Sequence, residues 1–313
     1  MNTLHFKYAV EVERTRSITQ AAENLYMAQP NLSKAIRELE ETLGIAIFER
    51  SSKGVVPTRR GSEFLTYAKN ILSQIDRMES LSVPENPGVQ RFSISIPRGS
   101  YISSAFTSFA AELNSEKQID IQLQETNSMQ TITDIAEQKF NLGIIRYQTA
   151  YESYFLDYLD EKKICHDPIW EFEYLALMSR RHPLADVPEV PYDKLCQCTE
   201  IVHGDTIIPY ISDRDNRNKP RRHAQPKKRI YVYERCSQFD LLSNIPSTFM
   251  WVSPIPDDLL RRYDLVQRRC KLTNHKYKDL LIYHKGYQFT TLEQKFLEKL
   301  HESKNRVAQV EYI

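Results

Sequence analysis

The sequence predicts an α plus α/β chain, a helical amino-terminal quarter shaped as a winged helix-turn-helix followed by a long region where strands and helices alternate. Three observations carry this. Apolar residues recur at helical spacing from Phe6 to Leu43, a short apolar and basic segment follows at 45–60, and beyond residue 91 period-two runs alternate with helical ones. With 313 residues, 41% hydrophobic and 27% charged, the chain has material for two or three domains and a sizeable core.

The first helix shows Phe6, Ala9 and Val10 at i, i+3, i+4. In the second, Ile18, Ala21, Ala22 and Leu25 repeat the pattern, and Ser17 with Gln20 three residues on predicts a capping box. The third opens at Gln29-Pro30, with proline where a missing N–H costs nothing. It buries Leu32, Ala35, Ile36, Leu39 and Leu43 and stops at Gly44. A turn near Tyr26–Ala28 joins the last two, the arrangement of a helix-turn-helix.

Opposite the apolar stripe the third helix carries Pro30, Ser33, Lys34, Arg37 and Glu41. Short polar and long basic side chains near a helix amino terminus suit major-groove reading, although a solvated face would look the same. The next segment distinguishes the two. After Glu49 no acid occurs up to Arg60, while Arg50, Lys53, Arg59 and Arg60 surround the Gly54 turn of a small hairpin, a wing placed to grip phosphates. Thr58 can cap a long helix with Phe64, Ala68, Ile71, Ile75 and Met78 at 4-3-4-3 spacing. That stripe fits either a partner helix from a second copy of the chain or packing within its own domain.

Ser17-Ile-Thr-Gln-Ala-Ala-Glu-Asn-Leu, Gln29-Pro-Asn-Leu-Ser-Lys-Ala-Ile-Arg-Glu-Leu-Glu and Leu43-Gly-Ile-Ala-Ile-Phe-Glu-Arg together resemble the amino-terminal domain of LysR-type transcriptional regulators, over residues 4–80. The resemblance implies a winged helix-turn-helix at 1–60, a dimerising linker helix at 61–80, a hinge at 81–90 and an effector domain at 91–313. It implies a sequence-specific regulator in the cytoplasm, without enzymatic activity. Double-stranded DNA, a small effector and further copies of itself, as a homodimer or homotetramer, would be its partners, with RNA polymerase a candidate further one. Carried over by position, Gln29, Pro30, Asn31, Ser33, Lys34 and Arg37 would face DNA, with Arg50, Ser52 and Lys53 along the backbone. Two departures stand out: Arg16 where the family has glycine, and Ala28 where it has serine before Gln-Pro.

Residues 81–90, with Pro84, Pro87 and Gly88, read as the hinge. Phe92, Ile94 and Ile96, then Ile119, Ile121 and Leu123, alternate as strands do, around a helical stretch from Tyr101 to Leu113. Further strands are expected at Leu142–Arg146, Tyr174–Ser179, Glu200–His203, Arg229–Tyr233, Thr248–Val252 and Asp279–Tyr283. Helices are expected at Met129–Lys139, Gln238–Asn244, Asp257–Tyr263 and Leu292–His301. The layout is similar to the two-lobed, periplasmic-binding-protein-like effector domain of LysR regulators. Ligands of open α/β sheets sit beyond the carboxyl ends of strands, near helix amino termini. That selects Arg98, Ser100, Tyr101, Thr126, Asn127, Ser128, Arg146, Tyr147, His203 and Gly204, with the two arginines favouring a small anion. Ser100, Thr126 and Ser128 also suit plain helix caps.

Other features bound the reading. Net charge is only +1, and residues 1–90 hold 11 basic and 11 acidic side chains, so DNA binding must come from placement rather than total charge. Eight glycines assemble neither phosphate-loop motif, and no G-x-S-x-G, H-E-x-x-H or C-x-x-C occurs, so no cofactor, metal or catalytic residue is expected. No apolar run suits a membrane span or a signal peptide. Five scattered cysteines suit a reducing compartment, with redox sensing at Cys196 or Cys198 as an open alternative. Ser212–Arg229, with eight basic residues and two acids, departs from the family layout. It reads as a solvated loop, a lid over the ligand or an extra DNA contact. A competing class is an enzyme or binding protein whose helical amino terminus serves only for dimerisation.

Overall fold

The computed structural model describes residues 2–51, 54–82, 88–205, 226, 228–233, 235–270 and 276–309. The chain divides into two compact units, 1–86 and 87–313.

In the first unit α1 (Thr3–Thr15), α2 (Ile18–Asn24) and α3 (Gln29–Leu43) enclose a core of Phe6, Ala9, Val12, Ala22, Leu32 and Leu39. Only half of the expected capping box forms: Ser17 Oγ accepts from the Gln20 amide, while the Gln20 side chain donates to Glu23 and Asn24 instead. Arg16 adopts φ 53°, a left-handed turn where glycine would be unstrained. Its carbonyl accepts from Val55 N, which ties this turn to the wing formed by β1 (Phe48–Ser51) and antiparallel β2 (Gly54–Pro57).

Helix α4 (Arg59–Ser82) is capped by Thr58, whose hydroxyl accepts from Gly61 N. Gly61 is required by close approach, because a Cβ there would lie 1.9 Å from the Ile47 carbonyl oxygen. The expected stripe divides. Ala68 is buried with Leu65 against the domain core, whereas Ile71 is 41% exposed beside an exposed Tyr67. The side chain of Met78 lies outside the described ones.

The second unit has two lobes. The first holds β3 (Val89–Ile96), α5 (Ser100–Ala111), β4 (Gln118–Glu125), α6 (Ser128–Ala136), β5 (Leu142–Gln148), α7 (Glu152–Glu161) and β6 (Ile164–Glu173). Its described sheet runs β4-β3-β5-β13-β6, where β13 (Lys276–His284) returns from the other lobe, and α11 (Thr291–Ala308) packs on α5. The second lobe holds β7 (Leu175–Ser179), β8 (Glu189–Val190), α8 (Tyr192–Leu195), β9 (Thr199–His203), β10 (Lys228–Val232), α9 (Cys236–Asn244), β11 (Thr248–Val252), α10 (Asp257–Arg262) and β12 (Leu265–Cys270). Its described order is β10-β9-β11-β7-β12-β8.

In each described sheet three neighbouring strands run parallel and the next, β13 or β7, runs against them, so the carboxyl ends of the parallel three gather on one side. The expected strands and helices are all present, with ends displaced by a few residues. Helices α7 and α8 and strands β6, β8 and β12 were not foreseen. Strand β4 lies at the edge of the described sheet, with Ile119 46% and Leu123 37% exposed, so its alternation marks a strand without marking a core face. No helix among the described residues is long and apolar enough to cross a membrane.

Candidate DNA-contacting face and inter-lobe cavity

In the first unit α3 uses its apolar stripe internally and leaves Gln29, Pro30, Asn31, Lys34 and Arg37 exposed, with Ser33 half-buried. Lys34 meets Glu38 only at 3.7 Å with both side chains largely exposed, a weak pair that leaves the ammonium free to move. Ala28 occupies the N-cap position of α3 in extended conformation and supplies no side-chain cap. Arg50's side chain and residues Ser52 and Lys53 lie outside what is described, as does most of the basic stretch Ser212–Arg229.

The second unit contains a cavity of about 370 Å³ between the lobes. Of the expected ligand residues, Arg98, Thr126, Asn127, Ser128, Arg146, Tyr147 and His203 line it. Three do not. Tyr101 is fully buried and donates its hydroxyl to Asp279, Ser100 turns its hydroxyl to Arg235, and Gly204 supports the Tyr233 ring. The alternative role of Ser100, Thr126 and Ser128 as caps is not met, since α5 has no side-chain cap and α6 is capped by another residue. Asn127 caps α6 by accepting from Gln130 N, while Ser128 Oγ instead bridges the backbone N and O of Arg146.

Neither of the two arginines expected to favour a small anion presents an unmatched charge. Arg146 donates from Nε and Nη2 to the two oxygens of Asp279, each at 2.7 Å, and from Nη1 to Ser253 Oγ across the lobes. Burial opposes its charge, but Asp279 outweighs burial and the pKa rises. Arg98 grips Asp205 with two bonds of 2.8 Å and also donates to the Tyr233 carbonyl. Despite burial, Arg98 holds the Asp205 carboxyl below its ordinary value. Burial first, then Arg98, hold the His203 imidazole at about 4, so it is neutral near pH 7.

Sequence reading missed the reciprocal contact. Arg235, in the second lobe, reaches Glu125, Ser103 Oγ and Ser100 Oγ of the first, while Arg98 of the first reaches Asp205 of the second. Each lobe thus lends one arginine to the other, an inter-lobe clasp. It also missed the aromatic walls. Tyr174 stands where the chain leaves the first lobe and Tyr277 where it returns, and their rings stack at 3.7 Å. Trp251 lines the cavity, and Tyr147 stacks on Phe155 behind its own stretch of wall. A usable signal existed for one residue: Asp279 heads the apolar run Asp-Leu-Leu-Ile-Tyr, where a buried acid needs a partner.

Burial pushes Cys196 and Cys198 up, and Cys270 to about 12, which disfavours the reactive thiolate.

Residues 4–62 match the bacterial regulatory helix-turn-helix proteins of the lysR family. An uncharacterized HTH-type transcriptional regulator of Escherichia coli K12, YnfL, is 28% identical over 198 residues, 62% of each chain. The regulator BenM of Acinetobacter baylyi is 44% identical over 82 residues, 26% of this chain and 27% of BenM. The chain therefore aligns with less than two thirds of either curated relative. Over nearly the full length the fold is similar to that of CbnR, solved in complex with its target DNA. There the TM-score is 0.64 at 18% identity, covering 97% of this chain and 100% of CbnR.

Proposed function

We propose that this chain is a LysR-type transcriptional regulator, a reading supported by the match of residues 4–62 and by the regulators it resembles, and that it binds specific DNA sites through α3 and the wing and responds to a small molecule held between its two lobes. The observation that carries the DNA reading is the division of α3. Its apolar side closes the domain core, and Gln29, Asn31, Lys34 and Arg37 remain exposed beside a helix amino terminus, the part of a recognition helix that reaches base edges. Arg50, Ser52 and Lys53 of the wing are proposed as backbone contacts.

Two copies pair through the exposed Tyr67–Ile71 side of α4, and effector-domain pairing extends the dimer to a tetramer on a pseudo-palindromic site in the cytoplasm. RNA polymerase is a candidate partner of the DNA-bound form. A ligand shifts the lobe arrangement by no more than its differential affinity for the two arrangements.

The test is genomic footprinting followed by a gel shift at fixed salt. Lys34→Ala and Arg37→Ala each weaken operator binding while the fold persists. A phosphate contact lowers the salt slope by about one, and a base contact costs about 1–3 kcal/mol and relaxes one position. Wild-type affinity in both variants overturns the assignment of α3.

A further inference from the structure

We propose that the inter-lobe cavity takes an uncharged, planar aromatic molecule bearing a hydrogen-bond acceptor, an inference that rests on the cavity being the effector site. The first support is charge matching. Arg98 is paired with Asp205, Arg146 with Asp279, and Glu200 with Arg229, whose Nε lies 2.9 Å from the carboxylate. His203 faces the same space as a neutral ring. A ligand carboxylate at either arginine would meet the resident carboxylate already there, and it would lose its water without gaining an unmatched cation. A ligand cation at Glu200 meets the same obstacle from Arg229.

The second support is the wall. The stacked Tyr174 and Tyr277 pair and the Trp251 indole offer ring surface at the floor, where offset or edge packing with a flat ligand is favoured. A volume of about 370 Å³ lies at the low end for small-molecule clefts and suits one ring or two fused ones. The third support is the polar point. Thr126 and the start of α6 line the cavity, and the Thr126 hydroxyl makes no side-chain hydrogen bond among the described residues. Donors at a helix amino terminus suit a carbonyl or phenol oxygen.

The test is calorimetry on the full-length protein with probes of one shape, namely benzamide, benzoate, benzamidinium and cyclohexanecarboxamide, each up to about 10 mM. Trp251 emission reports the site. Benzamide is expected to bind saturably and at least about ten-fold more tightly than the other three. Asp205→Asn, which releases the Arg98 charge, is expected to move selectivity towards benzoate by about ten-fold or more.

Equal or tighter binding of benzoate or benzamidinium overturns the neutral class, and equal binding of cyclohexanecarboxamide overturns the aromatic one; in both cases the cavity remains an effector site. Absence of binding by all four overturns the proposal. The effector reading itself fails only if a mixed metabolite extract also leaves operator binding unchanged.

Discussion

Removing Arg235 tests the clasp most directly. Its guanidinium leaves the second lobe to donate to Glu125, Ser103 and Ser100 of the first, and its charged partner is only 23% exposed. Hydrogen bonds to charged groups contribute roughly 1.5–3 kcal/mol each when buried, but this site keeps some contact with water, which places the whole contact at about 2 kcal/mol. Arg235→Ala should therefore favour separated lobes by about 30-fold relative to wild type. It should also lower the melting temperature of the effector unit by roughly 4–8 °C, at about 2–4 °C per kcal/mol for a unit of this size.

Trp251 provides the local readout. In a Trp170→Phe background it is the sole indole of a chain with two tryptophans, and it lines the cavity that the clasp closes. Acrylamide should quench it more steeply in Arg235→Ala. Arg229→Ala, which breaks a pair within the second lobe, serves as the comparison and should leave quenching near wild type. If the two variants quench alike, or if Arg235→Ala melts within about 1 °C of wild type, the contact does not hold the lobes together.

Three other perturbations have defined outcomes. Ala28→Ser supplies the missing cap of α3 and should stabilise the first unit by about 1 kcal/mol, read as a higher melting temperature; no rise would mean the α3 amides are already satisfied in solution. His203 has a folded pKa of about 4 against 6.5 when unfolded. Its contribution is thus complete above pH 6.5 and is lost as pH falls from there towards 4, by about 3 kcal/mol in total, and His203→Gln should flatten that part of the pH–stability curve relative to wild type. Ile71→Glu should dissociate the dimer in analytical ultracentrifugation while the first unit stays folded, because Leu65 and Ala68, not Ile71, fill its core; an unaltered sedimentation coefficient would exclude this face from pairing.

Local pattern was legible and cross-lobe chemistry was not. Helices α1–α3 could be read because their stripes repeat at 3.6 residues and each end carries its own stop, such as Gly44 in the left-handed region after α3. Strands β9 and β11 were read from short apolar runs and β4 from the alternation of Ile119, Ile121 and Leu123, which an edge strand carries without the burial. The strand-end rule found Arg98, Thr126, Arg146 and His203 at the cavity. It could not find the ion pairs around them, because Asp205, Arg235 and Asp279 lie more than 100 residues along the chain from their partners. Pairing at that separation is a property of the folded sheets and leaves no local spacing to read.

A charge-matched cavity has a consequence for regulation. Arg98 both lines the cavity and forms half of the clasp. A ligand that competed for its guanidinium would draw it from Asp205, and so would bind by weakening the contact that closes the lobes. A neutral ligand avoids that competition and adds its own contacts to both lobes, through Thr126 on one side and Trp251 on the other. Its binding then favours the clasped arrangement, and by linkage the clasp favours binding. Breaking the clasp at Arg235 should therefore weaken benzamide, with a penalty bounded by the roughly 2 kcal/mol of the contact, or about 30-fold. If the affinity of benzamide rose instead, the ligand would belong to the open arrangement, and the direction of the switch would be the reverse.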